Sequence, residues 1–313
     1  MTTMLDDPPT QAPDPGKHLR SEMAAMRLSY TWFGTRRALS AEQKTQAANT
    51  FHAESKYLSA GKKLIDTSDP SFRAVTSVKT QATSYFKGVS LPYPEPGIRL
   101  VPQNTLDDID AKMRGFTEEL ADAVSELDSR FDDLKFEARD RLGDLYNEAD
   151  YPPSLEGLFE IAWDFPSVEP PEYLRRLNPK LYEAECDRVK ARFDEAVSLA
   201  EAAFTEELGR LVEHLSERLT GADDGKPKVF RDSAIENFTE FFDRFQRLNI
   251  RSNQDLDEVV ESAKSVLGGV RPQQLRDNDR LRSQIASGLS SVQSSLDSLM
   301  VDRPRRNILR RSK

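Results

Sequence analysis

The sequence predicts a mainly α-helical protein organised around a long antiparallel helical hairpin with coiled-coil-like arms. Two apolar arrays and a proline-rich interval between them carry that prediction. From Leu106 to Leu145 apolar residues recur every three or four positions (Leu106, Ile109, Met113, Phe116, Leu120, Val124, Leu127, Phe131, Leu134, Ala138, Leu142, Leu145), the repeat of one helix face. A second array, Val189, Phe193, Val197, Ala200, Phe204, Leu208, Leu211, Leu215 and Leu219, repeats the pattern with no proline inside it. Each arm spans roughly 60 Å at about 1.5 Å per residue. Both periods lie near 3.6 residues, which requires little supercoiling, so a nearly straight pair is expected, formed within one chain or between two.

Composition agrees with an elongated helical molecule. Hydrophobic residues make up 37% of the 313 and charged residues 31%, a lean core for so much charge. The net charge of -9 is uneven: residues 301 to 313 carry +5 and the remainder -14. Nucleic acid would be repelled by such a body and attracted only by its tail. Cys186 is the single cysteine, which excludes an intramolecular disulfide and a cysteine-based zinc site. The N-terminus lacks the basic and apolar regions of a signal peptide, and no apolar run approaches about eighteen residues. A soluble, cytoplasmic protein with no membrane contact is expected.

Residues 1 to 22, rich in Pro, Asp and Thr, read as a flexible leader. Residues 23 to 104 read as a small α+β base. Alternation in Met26-Arg27-Leu28-Ser29-Tyr30-Thr31-Trp32 predicts a half-buried strand, whose partner should lie in the Pro-rich stretch from Val89 to Leu100. Between them, the capping box at Ser40 and Gln43 opens a helix through Phe51 and Leu58, and Asp69-Pro70 opens another through Phe72, Val75, Val78 and Phe86.

Residues 105 to 220 form the hairpin, entered at Thr105 and, for the second arm, at Asn178-Pro179. Its tip, residues 151 to 177, holds five prolines, a short helix capped by Ser154 through Leu158, Phe159 and Ala162, and the aromatics Phe159, Trp163, Phe165 and Tyr173. After a flexible loop at 220 to 227, residues 221 to 300 read as a C-terminal helical segment. Ser233 and Glu236 cap a helix carrying Phe238, Phe241, Phe242 and Phe245. Asn253 caps a second that ends at Gly268-Gly269, and Pro272 begins a third through Leu299. Residues 301 to 313 are a basic tail.

No constellation marks a catalytic centre. His18, His52 and His214 are far apart, and none has a histidine or metal-type carboxylate motif beside it. Ala60-Gly61-Lys62-Lys63 lacks the upstream glycine and the hydroxyl residue of a phosphate loop. Asp107, Asp108 and Asp110 follow from the preference of helix N-termini for acids, and Cys186 has no identifiable base. No cofactor, metal or catalytic residue is expected.

The order of segments resembles an uncharacterised domain family of phages and bacteria, known as a domain of unknown function. The residues that carry the likeness are Leu28-Ser29-Tyr30-Thr31-Trp32-Phe33-Gly34, Arg36-Arg37 with Leu39, and Leu58-Ser59-Ala60-Gly61-Lys62-Lys63-Leu64-Ile65-Asp66. Gly88, Pro92, the long acidic helix and the aromatic segment near Trp163 complete it. The likeness covers residues 26 to 220. It implies a phage or mobile-element setting and a neighbourhood of chelatase-like AAA+ ATPases, one of which would be the protein partner; it assigns no activity.

The sequence therefore supports a non-enzymatic scaffold or adaptor that binds a protein partner. Its candidate contacts are Phe159, Trp163 and Phe165 at the tip, and Phe238, Phe241, Phe242 and Phe245, which span both faces of one helix and serve either a bundle core or another chain. The alternative is a nucleic-acid-binding protein that uses Arg305, Arg306, Arg310 and Arg311 against an acidic surface.

Overall fold

The computed structural model describes residues 14 to 220 and 232 to 301. In chain order the elements begin with α1 (Pro15–Glu22), β1 (Met23–Thr31), β2 (Arg36–Ala38), α2 (Ala41–Thr50), β3 (Gly61–Lys63) and α3 (Pro70–Gly88). Next come β4 (Leu91–Pro92), β5 (Ile98–Pro102), α4 (Leu106–Ser129), α5 (Phe131–Leu142) and β6 (Glu160–Asp164). The series ends with α6 (Glu172–Leu177), α7 (Pro179–Thr220), α8 (Ser233–Leu248), α9 (Gln254–Leu267), α10 (Pro272–Asp277) and α11 (Asp279–Val301). Of the described residues 69% are helical, with a small sheet portion, so the mainly α class holds. Among the described residues no helix is long and apolar enough to cross a membrane.

Two compact units divide the described residues: 14 to 25, 89 to 103, 167 to 220 and 232 to 301 belong to the first, and 26 to 88 and 104 to 166 to the second. The first is built on α7, against which α1, α8, α9, α11 and β4 pack. Its buried face runs through Val189, Phe193, Ala196, Ala200, Phe204, Leu208, Val212, Leu215 and Leu219, close to the predicted array. Leu256, Val260 and Ala263 of α9 and Ile285, Leu289, Val292 and Leu296 of α11 join the same core. β4 and β5 form a short antiparallel pair, Leu91 opposite Leu100, and β5 neighbours β1 as expected of the 89 to 100 stretch.

Several local expectations are corrected in this unit. The leader is helical from Pro15, because the Asp14 carboxylate accepts from the Gly16 and Lys17 amides and Leu19, 1% exposed, gains a buried site on the core. A Cβ at Gly16 would stand 2.5 Å from an Asp194 carboxylate oxygen on α7, so that side chain would have to swing aside to admit a larger residue. Ser233 is the first helical residue rather than the cap, which is Asp232. The helix expected from Pro272 breaks at Asn278, whose backbone is extended and whose side chain accepts from the Leu281 amide at 3.0 Å. Asn253 and the Gly268-Gly269 stop behave as expected, with Gly269 at φ +72°.

The second unit pairs α3 with α4. Phe72, Val75, Val78, Ala82 and Phe86 on α3 are buried, as are Ile109, Met113, Phe116, Leu120, Val124 and Leu127 on α4. Tyr85 and Phe116 meet between the helices at 5.8 Å. β1 pairs antiparallel with β6, from Arg27 opposite Asp164 to Thr31 opposite Glu160, and the Arg27 guanidinium meets the Asp164 carboxylate at 2.6 Å. The first array is not one helix: the chain breaks at Arg130 (φ −99°, ψ 0°), and α5 resumes with Phe131, Leu134 and Ala138 buried.

The predicted tip helix is replaced by a turn and a strand. Asp128 accepts from the Ser154 hydroxyl at 3.1 Å and the Leu155 amide at 2.6 Å, which uses the expected cap for a tertiary contact. Ile161 is then buried in β6, opposite Tyr30 of β1. Within its own unit each array has other helices as partners: α4 packs on α3, and α7 on α11 and α1. Periodicity reports that a helix face is buried but carries no label for what buries it.

Candidate binding surface

Within the second unit, residues 34 to 63 stand apart in burial and charge. Only Ala48 and Lys62 are buried there. Six basic side chains (Arg36, Arg37, Lys44, Lys56, Lys62, Lys63) face two acids (Glu42, Glu54), which gives this flap +4 and leaves -13 for the rest of the chain. Its hairpin places Arg36 opposite Lys63, Arg37 opposite Lys62 and Ala38 opposite Gly61. Like charges directly across a strand pair are destabilising. At Gly61 a Cβ would lie 3.0 Å from the Arg37 carbonyl oxygen, so a larger residue there would require the strands to give by a few tenths of an ångström.

One of the four hairpin cations is neutralised internally. Lys62, whose side chain is 5% exposed, sits 2.5 Å from the Asp150 carboxylate and donates to the Leu145 carbonyl at 2.6 Å. Nearby, the Tyr151 hydroxyl donates to the Leu64 carbonyl at 2.8 Å, and burial pushes that phenol up to about 12. These bonds hold the base of the flap. Arg36, Arg37 and Lys63 are exposed, and among the described residues none has a carboxylate partner.

The other half of the flap is a short helix and a turn. The Ser40 and Gln43 capping box forms as predicted and starts α2, yet the helix stops at Thr50 instead of continuing through Phe51 and Leu58. His52 adopts φ +53°, a left-handed conformation uncommon for a non-glycine residue. Phe51 is consequently turned into solvent, 76% exposed, and Tyr57 is 81% exposed with the Lys56 ammonium 4.9 Å from its ring centre.

Asp66 secures the distal side of the flap base. The Ser68 hydroxyl and amide donate to its carboxylate, as does Arg141, and together these hold its pKa at about 2 rather than 3.8. A depressed carboxylate pKa stabilises the fold fully above the ordinary value, and the contribution is lost as pH falls from about 3.8 through about 2. An NMR titration should find Asp66 still ionised at pH 3; a midpoint at the ordinary value would remove these bonds from the solution structure.

The aromatics singled out in the sequence are placed differently. Phe159 is buried, with its ring edge-on to Trp32 at 4.9 Å, so its surface is used internally. Trp163 is half-buried in β6 and donates its indole N–H to Asp110 at 3.0 Å; Phe165 remains 47% exposed. Phe238, Phe241 and Phe245 are buried, and the last two stack with Phe204 of α7 nearby. Only Phe242 is partly open, beside a cleft of about 320 Å³ bordered by Asn249, Asp257 and Lys264. Arg305, Arg306, Arg310 and Arg311 lie outside the described residues.

Sequence reasoning missed the flap because Phe51 and Leu58 fit a helical core face. The available signal was the pair of basic dipeptides, Arg36-Arg37 and Lys62-Lys63, enclosing a stretch with few apolar residues. Among the described residues, no group of three His, Cys, Asp or Glu is arranged to hold a metal ion. Cys186 is half-buried. Compared with family models, curated proteins and solved structures, the chain matches none.

Proposed function

We propose that this chain is a non-enzymatic adaptor that takes an acidic surface of a protein partner on the flap at residues 34 to 63. The observation that carries the reading is the hairpin itself: Arg36 lies directly opposite Lys63 and Arg37 opposite the internally paired Lys62, and Arg36, Arg37 and Lys63 are exposed and without carboxylate partners among the described residues. A fold gains nothing locally from that arrangement, and an external anion relieves it. Phe51 and Tyr57 supply apolar contact area beside the charges, the combination common at binding hot spots. The resemblance described above adds an AAA+ ATPase as the partner to try first.

A second reading is favoured by the exposed rings, since aromatic side chains among cations also stack bases of single-stranded nucleic acid. The charge of -13 outside the flap weighs against it, because it repels a polyanion beyond the immediate contact. Both readings are tested with the full chain carrying Arg36→Glu, Arg37→Glu and Lys63→Glu. Helix content and unfolding midpoint should match the wild type, while affinity for the purified ATPase falls at least about tenfold. Unchanged affinity would sink the flap as the docking site. Binding of a labelled oligonucleotide that disappears in this variant and weakens steeply with salt would transfer the flap to the second reading.

A further inference from the structure

Where the chain leaves β3 and runs beside α5, in the second unit, it encloses a recess of about 250 Å³. Lys63, Leu64, Ile65 and Asp66 form one wall. Ala138, Arg141 and Leu142, which share a face of α5 by their spacing, form the other. Leu64, Ile65 and Ala138 are buried, so the floor is apolar. Both walls are tied in place: the Leu64 amide donates to the Thr35 carbonyl at 2.8 Å, the Tyr151 hydroxyl to the Leu64 carbonyl at 2.8 Å, and Arg141 to Asp66 at 2.9 Å. Apolar walls held apart forfeit the contacts that a filling side chain would supply.

Volume and rim charge together select the occupant. Small-molecule sites run from roughly 300 to 1,000 Å³, so this recess suits a single aliphatic side chain. At its distal rim the charges are already matched: Asp66 accepts from Ser68 and Arg141, and Arg141 also meets Glu137. At the flap rim they are not. Lys63 is exposed and has no carboxylate partner among the described residues, and Arg36, equally unpaired, stands directly across the hairpin from it. Side chains directly opposite in an antiparallel pair project to the same face. Arg36 therefore shares the face of Lys63, which borders the recess, while Arg37 shares the face on which Lys62 reaches Asp150.

We infer that the recess takes one aliphatic side chain from an acidic segment of the protein partner, whose neighbouring carboxylates meet Arg36 and Lys63. This occupancy depends on the docking of an acidic surface at the flap, proposed above, and gives that surface a sequence requirement: a leucine, isoleucine or methionine set among acids. The cations attract the segment, and the recess selects the residue at one position, because only a side chain of suitable size removes apolar area from water on both walls.

The test titrates the full chain with two short peptides of glutamates that differ only at the centre, leucine in one and alanine in the other. NMR methyl signals of Leu64, Ile65 and Leu142 should move with the leucine peptide, and the alanine peptide should bind at least about tenfold more weakly. This comparison requires no variant of the protein. Arg36→Glu with Lys63→Glu should weaken the leucine peptide at least about tenfold, whereas Arg37→Glu, on the other face, should change it less than about twofold. Methyl signals that stay still at millimolar peptide, or equal affinity for the two peptides, overturn the recess. If the Arg36→Glu, Lys63→Glu chain still loses affinity for both peptides, the flap as an acidic docking site survives that failure. A leucine peptide that binds the double variant as tightly as wild type overturns both, because the occupant is then not held by charge.

Discussion

Replacing Asp150 with Ala should destabilise the second unit by about 3 kcal/mol, the cost of leaving a buried ammonium without its counter-ion. Lys62 has nowhere else to place its charge: its side chain is 5% exposed, and its other contact is the neutral Leu145 carbonyl. The loss is readable by tryptophan fluorescence, since Trp32 and Trp163 are the only tryptophans and both belong to this unit. Adding Lys62→Met to the Asp150→Ala chain should recover part of the loss, because removing a buried charge with its partner is far cheaper than stranding it. If Asp150→Ala unfolds at the wild-type denaturant concentration, Lys62 reaches water by another route and the flap is not anchored as described. The consequence for function is specific: a loosened base should weaken partner binding even though Arg36, Arg37 and Lys63 are unchanged.

Phe241→Ala should cost about 4 kcal/mol, in the range for deleting a fully buried aromatic ring from a core. Phe241 is 1% exposed, with Phe204 at 6.2 Å, Phe242 at 5.7 Å and a stacked Phe245 at 6.0 Å between ring centres. The cavity left behind would be lined by rings on α7 and α8, two helices that cannot both shift without disturbing the rest of the unit. Urea unfolding followed by far-ultraviolet circular dichroism measures the change. A loss below about 1 kcal/mol, accompanied by loss of partner binding, would return this residue to the interaction surface that the sequence suggested. By contrast, Phe51→Ser should leave the unfolding midpoint unchanged, since a ring 76% exposed has little packing to lose.

These two phenylalanines show how a sequence pattern and its meaning separate. Phe51 fits the spacing of a helical core face after Ala48, and Phe238, Phe241, Phe242 and Phe245 look too many for one face. The outcome is reversed because His52 leaves helical geometry and turns Phe51 out, while α7 offers Phe204 as a partner for the crowded rings. The hairpin cations were legible as residues but not as a site. Arg36-Arg37 and Lys62-Lys63 are about twenty-five positions apart, and only strand pairing brings them opposite one another.

What the residues determined alone is local: the apolar faces of α3, α4, α7 and α11, the capping box at Ser40, the caps at Asn253 and Asn178, and the stop at Gly269. Each depends on neighbours within about four positions, the reach of helix periodicity and capping. Which face meets which was left to the tertiary structure, because burial of apolar area is non-directional and any sufficiently complementary face satisfies it. Hence α4 packs on α3 and α7 on α11, where the sequence by itself allowed the two arrays to choose each other. The strand β6 was decided in the same way: Ile161 is buried and a partner edge is available on β1, while the cap that would have started a helix at Ser154 is engaged by Asp128 from a distance of twenty-six residues.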